Sequence, residues 1–263
     1  MAEPKHISQN QNKGTNKNRA LVLLLVVLLC CGLAGCAYLI WQQAEMDRAA
    51  QEQQGNPIPS SEPVLEDNPI DFIAEKQKNP DIYAWIYIPG TNINLPVMQR
   101  AGDDSFYLDH NSSGEYAVEG SIYSQGMNST DFSDPVTVLY GHNMKNGSMF
   151  TQLHEFEDPE FFANNTELYI YTPGHILTYQ IVAAYQYDNR HILNSFDFSD
   201  AEVRESYFAS VLNPSSMLVN VREGATLESS DKIVQLSTCM GDASRTTTRY
   251  LVTGVLTNDQ PTK

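Results

Sequence analysis

A mainly β domain, folded as a barrel or a sandwich with helical insertions, is predicted for the chain beyond residue 68. Three observations predict it. Eight short runs are rich in aromatic and β-branched residues, Pro-Gly pairs or polar loops separate them, and the helical stretches between them are few and short. No sequence repeat at a fixed period is present, which sets aside solenoids and propellers.

The first elements lie outside that domain. Residues 20–41, from Ala20 to Trp41, hold no charge. Twenty-two residues rising about 1.5 Å each cover about 33 Å, enough for a bilayer core of about 30 Å. Tyr38 and Trp41 fall near one end, where amphipathic rings favour the interface. Lys5, Lys13, Lys17 and Arg19 precede the span against Glu3 alone, so the expected orientation keeps residues 1–19 in the cytoplasm as a basic tail. A single-pass signal anchor is therefore expected, with the rest of the chain outside the cell. Leu33-Ala34-Gly35-Cys36 resembles a bacterial lipoprotein cleavage box, but Ala37 to Trp41 are apolar again and complete a span. Cys30 and Cys31 read as apolar filler. Residues 42–68 are polar and rich in Gln, Pro and Ser, the composition of an extracellular stalk.

The globular domain follows over residues 69–259. A short amphipathic helix is expected from Pro69 to Lys78, ended by Asn79-Pro80. Strands are expected at Tyr83–Ile88, Ile93–Met98, Gly120–Ser124, Val136–Tyr140, Glu167–Tyr171, Ile176–Tyr187, Ile233–Thr238 and Arg249–Leu256. Helical interruptions are expected at Ser148–Phe156, at Asp158–Ala163, and at Ser199–Leu212, where Ser199-Asp-Ala-Glu202 reads as a capping box.

Charge narrows the partners. The formal net charge is −16, and residues 1–41 carry +3, so the remainder carries −19. Such a domain repels phosphate backbones, and no nucleic acid partner is expected. No metal or cofactor is expected either: there is no Cys-x-x-Cys or His-x-x-x-His pair and no Gly-rich phosphate loop.

Cys239 is the one cysteine beyond the apolar segment, so no intrachain disulfide can form in the exported part. It ends the run Ile233-Val-Gln-Leu-Ser-Thr-Cys239 beside a polar loop. A buried small hydrophobe is the default for a lone cysteine, but a strand end next to a cation favours a nucleophile. A thiol reacts as thiolate, and an ordinary thiol with a pKa of about 8.5 needs a base or a cation nearby. Five histidines lie in this part of the chain: His110, His142, His154, His175 and His191. Only His142 leaves a buried-looking strand through a glycine, in Leu139-Tyr-Gly-His142. Arg249 opens the last strand and would meet Cys239 at the same rim if the two strands pair across the loop 240–248. Its fixed fork of donors suits an oxyanion, or equally a surface carboxylate. Arg245 in the loop is a weaker candidate.

These residues reach a known family. Leu236-Ser-Thr-Cys239 with Arg249 ten positions on, preceded by Tyr140-Gly-His142, resembles the sortases, membrane-anchored cysteine transpeptidases of Gram-positive bacteria. Asn79-Pro-Asp-Ile-Tyr-Ala-Trp-Ile-Tyr-Ile-Pro-Gly-Thr-Asn-Ile-Asn-Leu-Pro-Val97 resembles class B members in particular. So do Gly120-Ser-Ile-Tyr123, the N-terminal helix and the helical insertion at 199–212. The likeness runs from about residue 69 to 257. It implies a closed eight-stranded β-barrel in which Cys239 attacks the Thr carbonyl of a C-terminal sorting signal of the Asn-Pro-x-Thr kind. His142 would act as general acid and then base, and Arg249 would hold the oxyanion. The implied partners are surface proteins bearing the signal and a peptidoglycan-precursor (lipid II) amine. A pilin lysine as acceptor, or a catalytically silent binding module, are the alternatives. Ser121, Thr238 and Asp242 are expected at the substrate groove. Some relatives carry an acid two places after the cysteine; here that place is Gly241, and Asp242 stands one further on. Chain order separates this set from papain-like peptidases, since the histidine precedes the cysteine by 97 positions.

Overall fold

The computed structural model describes residues 33–48, 67–241 and 247–262. Nine strands run in the order β5-β1-β2-β3-β4-β8-β9-β6-β7, and β5 also pairs with β6. That last pairing closes eight strands into a barrel and leaves β7 as a short extra strand on β6. The strands are β1 (Ile82–Tyr87), β2 (Asn94–Met98), β3 (Ile122–Tyr123), β4 (Val136–Tyr140) and β5 (Glu167–Thr172), then β6 (His175–Asp188), β7 (Val219–Val221), β8 (Ile233–Cys239) and β9 (Thr248–Pro261). The helices are α1 (Phe72–Lys78), α2 (Pro159–Asn164), α3 (Ile192–Ser195) and α4 (Ala201–Leu212). The closed eight-stranded mixed barrel expected above is the fold observed. Closure leaves no long open edge among the eight strands.

Two pairings are parallel, β2 with β3 and β4 with β8; the others are antiparallel. Alternation along β8 sorts its side chains between two cores. Val234 and Leu236 join the barrel interior with Tyr250 and Val252, whereas Ile233 packs with Leu251, Tyr185 and the α4 residues Tyr207, Phe208 and Val211. Gln235 lies on that second face, fully buried, and is satisfied by Tyr207 Oη–H at 2.6 Å and by its own donation to Thr253 Oγ1 at 3.2 Å. By the same period of two, Ser237 and Cys239 share the α4-covered face and Thr238 the interior one. The nucleophile candidate thus emerges where the helical insertion ends.

Local corrections have local causes. The insertion helix starts one residue later than the apparent capping box, because Asp200 caps the Glu202 N–H at 2.8 Å while Ser199 turns its hydroxyl to Asp197 at 2.6 Å. Helix α1 begins at Phe72 because Asp71 accepts from the Ile73 and Ala74 N–H groups. Strand β3 is two residues long, since Gly120 turns at φ +58° and Ser121 bonds outward to Tyr107 and His110. Strand β7 and helix α3 lie in a stretch, 188–230, whose sequence carries no clear period. Of the expected membrane span, residues 20–32 lie outside the described residues, and 33–48 are helical. Among the described residues no helix is long and apolar enough to cross a membrane. Residues 49–66 of the expected stalk also lie outside them.

Candidate active site

Strand pairing assembles the site. Cys239 and Arg249 are direct register partners across β8 and β9, and Tyr187 of β6 lies opposite Arg249 on its other side. Side chains at opposed positions of neighbouring strands share a face, so all three project on the α4 side of the sheet. Cys239 is half-buried and makes no disulfide. Arg249 is half-buried as well, and among the described residues its guanidinium bonds only the Thr248 carbonyl, at 3.3 Å, with no carboxylate paired to it. A strand-start cation serving as a structural ion pair would have one. Most of its donors are left to be aimed at something else.

His142 arrives from the other side of β8. Strand β4 runs parallel to β8 as far as Tyr140 opposite Ser237, and the Gly141 N–H still donates to the Ser237 carbonyl at 3.1 Å. The chain then leaves the sheet. The departure needs glycine for space and not for a left-handed backbone: a Cβ on Gly141 would stand 2.5 Å from Ile122 Cδ1 and 2.7 Å from the Phe150 ring. His142 Nε2–H donates to the Leu108 carbonyl at 2.7 Å, which fixes the ring. That carbonyl is itself pressed against Gly120, where an added Cβ would meet Leu108 O and Tyr107 O at 2.6 Å. Gly141→Ala is accordingly expected to cost about 1–3 kcal/mol of stability by overpacking, read as a lowered midpoint in thermal denaturation. An unchanged midpoint would show that the neighbours yield freely.

The surroundings are aromatic and acidic. Tyr123 and Tyr140 pack in a tilted pair, ring centroids 5.5 Å apart, near Cys239 and Arg249. Burial pushes the Tyr123 phenol up to about 12, against the opposing pull of Arg249, and burial raises Tyr140 further still. Both remain protonated at neutral pH and offer O–H groups, not charge. Glu119, 1% exposed, has an Oε1 without a hydrogen-bond partner. Burial raises its carboxyl above the usual range, while its own backbone and nearby His142 pull it down. Nothing in the pattern of the sequence marked this buried carboxylate; a glutamate before a Gly-Ser turn reads as surface.

The remaining expected groove residues divide. Ser121 is buried and donates to the His110 carbonyl at 2.9 Å. Thr238 is buried on the interior face, opposite in direction to Cys239, with its hydroxyl unpartnered. Asp242 and Arg245 lie outside the described residues. A cleft of about 620 Å³ between β6 and the insertion is lined by Tyr185, Tyr187, Arg190, Tyr207, Met217 and Thr248, adjoining Arg249. Two groups absent from the expected set, Asn143 and His154, bond the main-chain carbonyl of Cys239, each at 3.0 Å.

Comparison with known proteins gives a consistent result. The model of the sortase domain family matches residues 86–257. Sortase B of Listeria monocytogenes is 32% identical over 189 residues, covering 71% of this chain and 74% of that protein. The crystal structure of Clostridium perfringens sortase B superposes with a TM-score of 0.63 at 34% identity, over 71% of this chain and 99% of that one. Sortase B of Bacillus anthracis, solved in complex with AAEK1, gives a TM-score of 0.65 at 28% identity, over 84% and 98% of the two chains.

Proposed function

The chain belongs to the sortase family as a class B cysteine transpeptidase, and we propose that it cleaves an Asn-Pro-x-Thr-like C-terminal sorting signal after Thr and transfers the protein to a peptidoglycan-precursor amine. One observation carries the assignment of roles. Cys239 and Arg249 are strand partners, and the residue after His142 bonds the Cys239 carbonyl, which supports a shared rim for the three groups.

In the proposed first step, the Cys239 thiolate attacks the Thr carbonyl carbon and the carbonyl electrons move onto oxygen. Arg249 donates to that oxyanion from a guanidinium that no carboxylate neutralises among the described residues. Collapse breaks the C–N bond as His142, serving as general acid, protonates the departing amine, which leaves a thioacyl enzyme. An incoming amine then attacks the thioester and gives up a proton to His142, and thiolate departs. Its Leu108 anchor occupies Nε2, so the other ring nitrogen is the one free to exchange protons unless the ring turns. The cleft lined by Tyr187 and Thr248 gives an extended peptide a path to the rim.

The acidic remainder and the basic tail fit a domain held outside the membrane through residues 20–41, with the N-terminus in the cytoplasm. The test is mass spectrometry of the chain incubated with Asn-Pro-x-Thr-x and Leu-Pro-x-Thr-Gly peptides, with triglycine, diaminopimelate and lysine supplied separately. The expected result is an adduct on Cys239 from the Asn-Pro-x-Thr peptide, with cleavage after Thr and transfer to a peptidoglycan-type amine. Folded protein that forms no adduct with any peptide would sink this reading in favour of a binding module.

A further inference from the structure

The way β4 ends leaves an unusual debt at the nucleophile. Carbonyls two residues apart on a strand point to the same edge, so the Ser237 and Cys239 carbonyls both face β4. Gly141 N–H serves the first. The second has no β4 backbone opposite it, because the chain has turned away to place His142. On the other edge Met240 N–H reaches the Thr248 carbonyl across β9, at 3.4 Å, so the ladder there cannot supply the missing donor. A buried carbonyl without a partner is costly.

Two side chains fill the gap. Asn143 Nδ2 donates to the Cys239 carbonyl at 3.0 Å, and His154 Nε2 stands 3.0 Å from the same carbonyl and 3.1 Å from Asn143 Nδ2. A bond from His154 to the carbonyl requires the proton on Nε2; with the proton on Nδ1 alone, Nε2 instead accepts from Asn143 Nδ2, and His154 acts on the carbonyl through that amide. On the opposite side of the ring, Nδ1 lies 2.5 Å from Glu157 Oε1, one turn further along the 3-10 segment Thr151–Glu157. The ring stacks on Tyr250, centroid to centroid 5.2 Å, and Tyr250 is the strand neighbour of Arg249. The imidazole is therefore held in plane, in direction and from both nitrogens.

We infer that Asn143, His154 and Glu157 form a clamp that substitutes for the missing strand and positions Cys239 for attack, with Asn143 also locking the nucleophile to the His142 segment. The inference rests on Cys239 being the nucleophile. These are positioning residues: none reaches the α4-covered face on which Cys239 projects. Their effect is on where the thiol sits relative to His142 and Arg249, and misplacement on the scale of 1 Å costs about 100-fold in rate.

The experiment compares His154→Leu, His154→Gln and Asn143→Ala with the unaltered chain, each checked for folding by thermal denaturation. Peptide turnover is resolved into kcat and KM, and Cys239 alkylation by iodoacetamide is timed without peptide. His154→Leu is expected to lower kcat about 10- to 100-fold with KM within about twofold, and to change the alkylation rate. His154→Gln, which restores a donor at the Nε2 position, is expected to recover most of the loss; Asn143→Ala is expected to fall between. His154→Leu with unchanged kcat and unchanged alkylation would overturn the clamp. So would a loss carried wholly in KM, or a His154→Gln variant as impaired as His154→Leu. If no peptide is turned over by any form, the functional reading fails separately and the alkylation rates still decide the clamp. Should His154→Leu not fold, His154→Gln and Asn143→Ala give the same decision between them.

Discussion

Cys239→Ala is expected to abolish thioacyl formation and to lower transpeptidation by about 10⁴- to 10⁶-fold, the scale seen when a covalent nucleophile is removed. That corresponds to about 5–8 kcal/mol of transition-state stabilisation. The stability cost should be small. Cys239 is half-buried at the end of β8, and alanine keeps the Cβ, the strand pairing with Arg249 and the carbonyl that Asn143 and His154 hold. Peptide binding should survive for the same reason, because the cleft beside Thr248 contains no atom of Cys239. The informative measurement is therefore paired: intact-mass spectrometry for the adduct and calorimetry for the peptide. Binding without an adduct is the expected outcome. Residual turnover within tenfold of the unaltered chain would remove Cys239 from the mechanism.

The barrel was legible because its strands announce themselves twice, by residue type and by the turns between them. Val136–Tyr140 was readable to the residue, since it is a β-branched and aromatic run bounded by Pro135 and Gly141. Register could not be read. The pairing of Cys239 with Arg249 depends on the reach of the loop 240–248, which the sequence gives only as a length. Closure through β5 and β6 is likewise a long-range fact. The insertion between β6 and β8 was legible only at α4, whose tie to the barrel is Tyr207, packed with Ile233 and Leu251 and donating to Gln235 at 2.6 Å. Those contacts join a helix to strands distant in sequence and leave no periodic trace.

The candidate site was half legible for a related reason. Cys239, His142 and Arg249 stand at strand ends with a chemistry that needs a partner, so their types and positions point at each other. His154 stands among acids in the sequence, and one of them, Glu157, is its partner. What the pattern cannot contain is the acceptor on its other side, a main-chain carbonyl 85 residues away. Thr238, expected at the substrate groove from the resemblance, lies on the interior face, because a strand sends neighbours to opposite faces.

Arg249 allows the sharper test of how the rim works. Arg249→Met is expected to lower kcat/KM about 10²- to 10³-fold, the cost of losing a donor aimed at an oxyanion, which is about 2.7–4 kcal/mol. Its structural stake is slight: one bond of 3.3 Å to Thr248 and no carboxylate partner among the described residues. Stability should move by less than about 0.5 kcal/mol, as for a surface substitution clear of packing. Arg249→Lys separates charge from geometry. Lysine restores the cation but not the planar fork, so it should recover only part of the loss if two parallel donors meet the oxyanion and substrate carbonyl. The deficit should lie in kcat more than in KM, since an oxyanion exists only after attack. Full activity in Arg249→Met would move the stabilising role elsewhere on the rim, where the unpartnered Tyr140 hydroxyl is a protonated donor near Arg249. A loss confined to KM would instead make Arg249 a ground-state binding group, leaving the transition state to other donors.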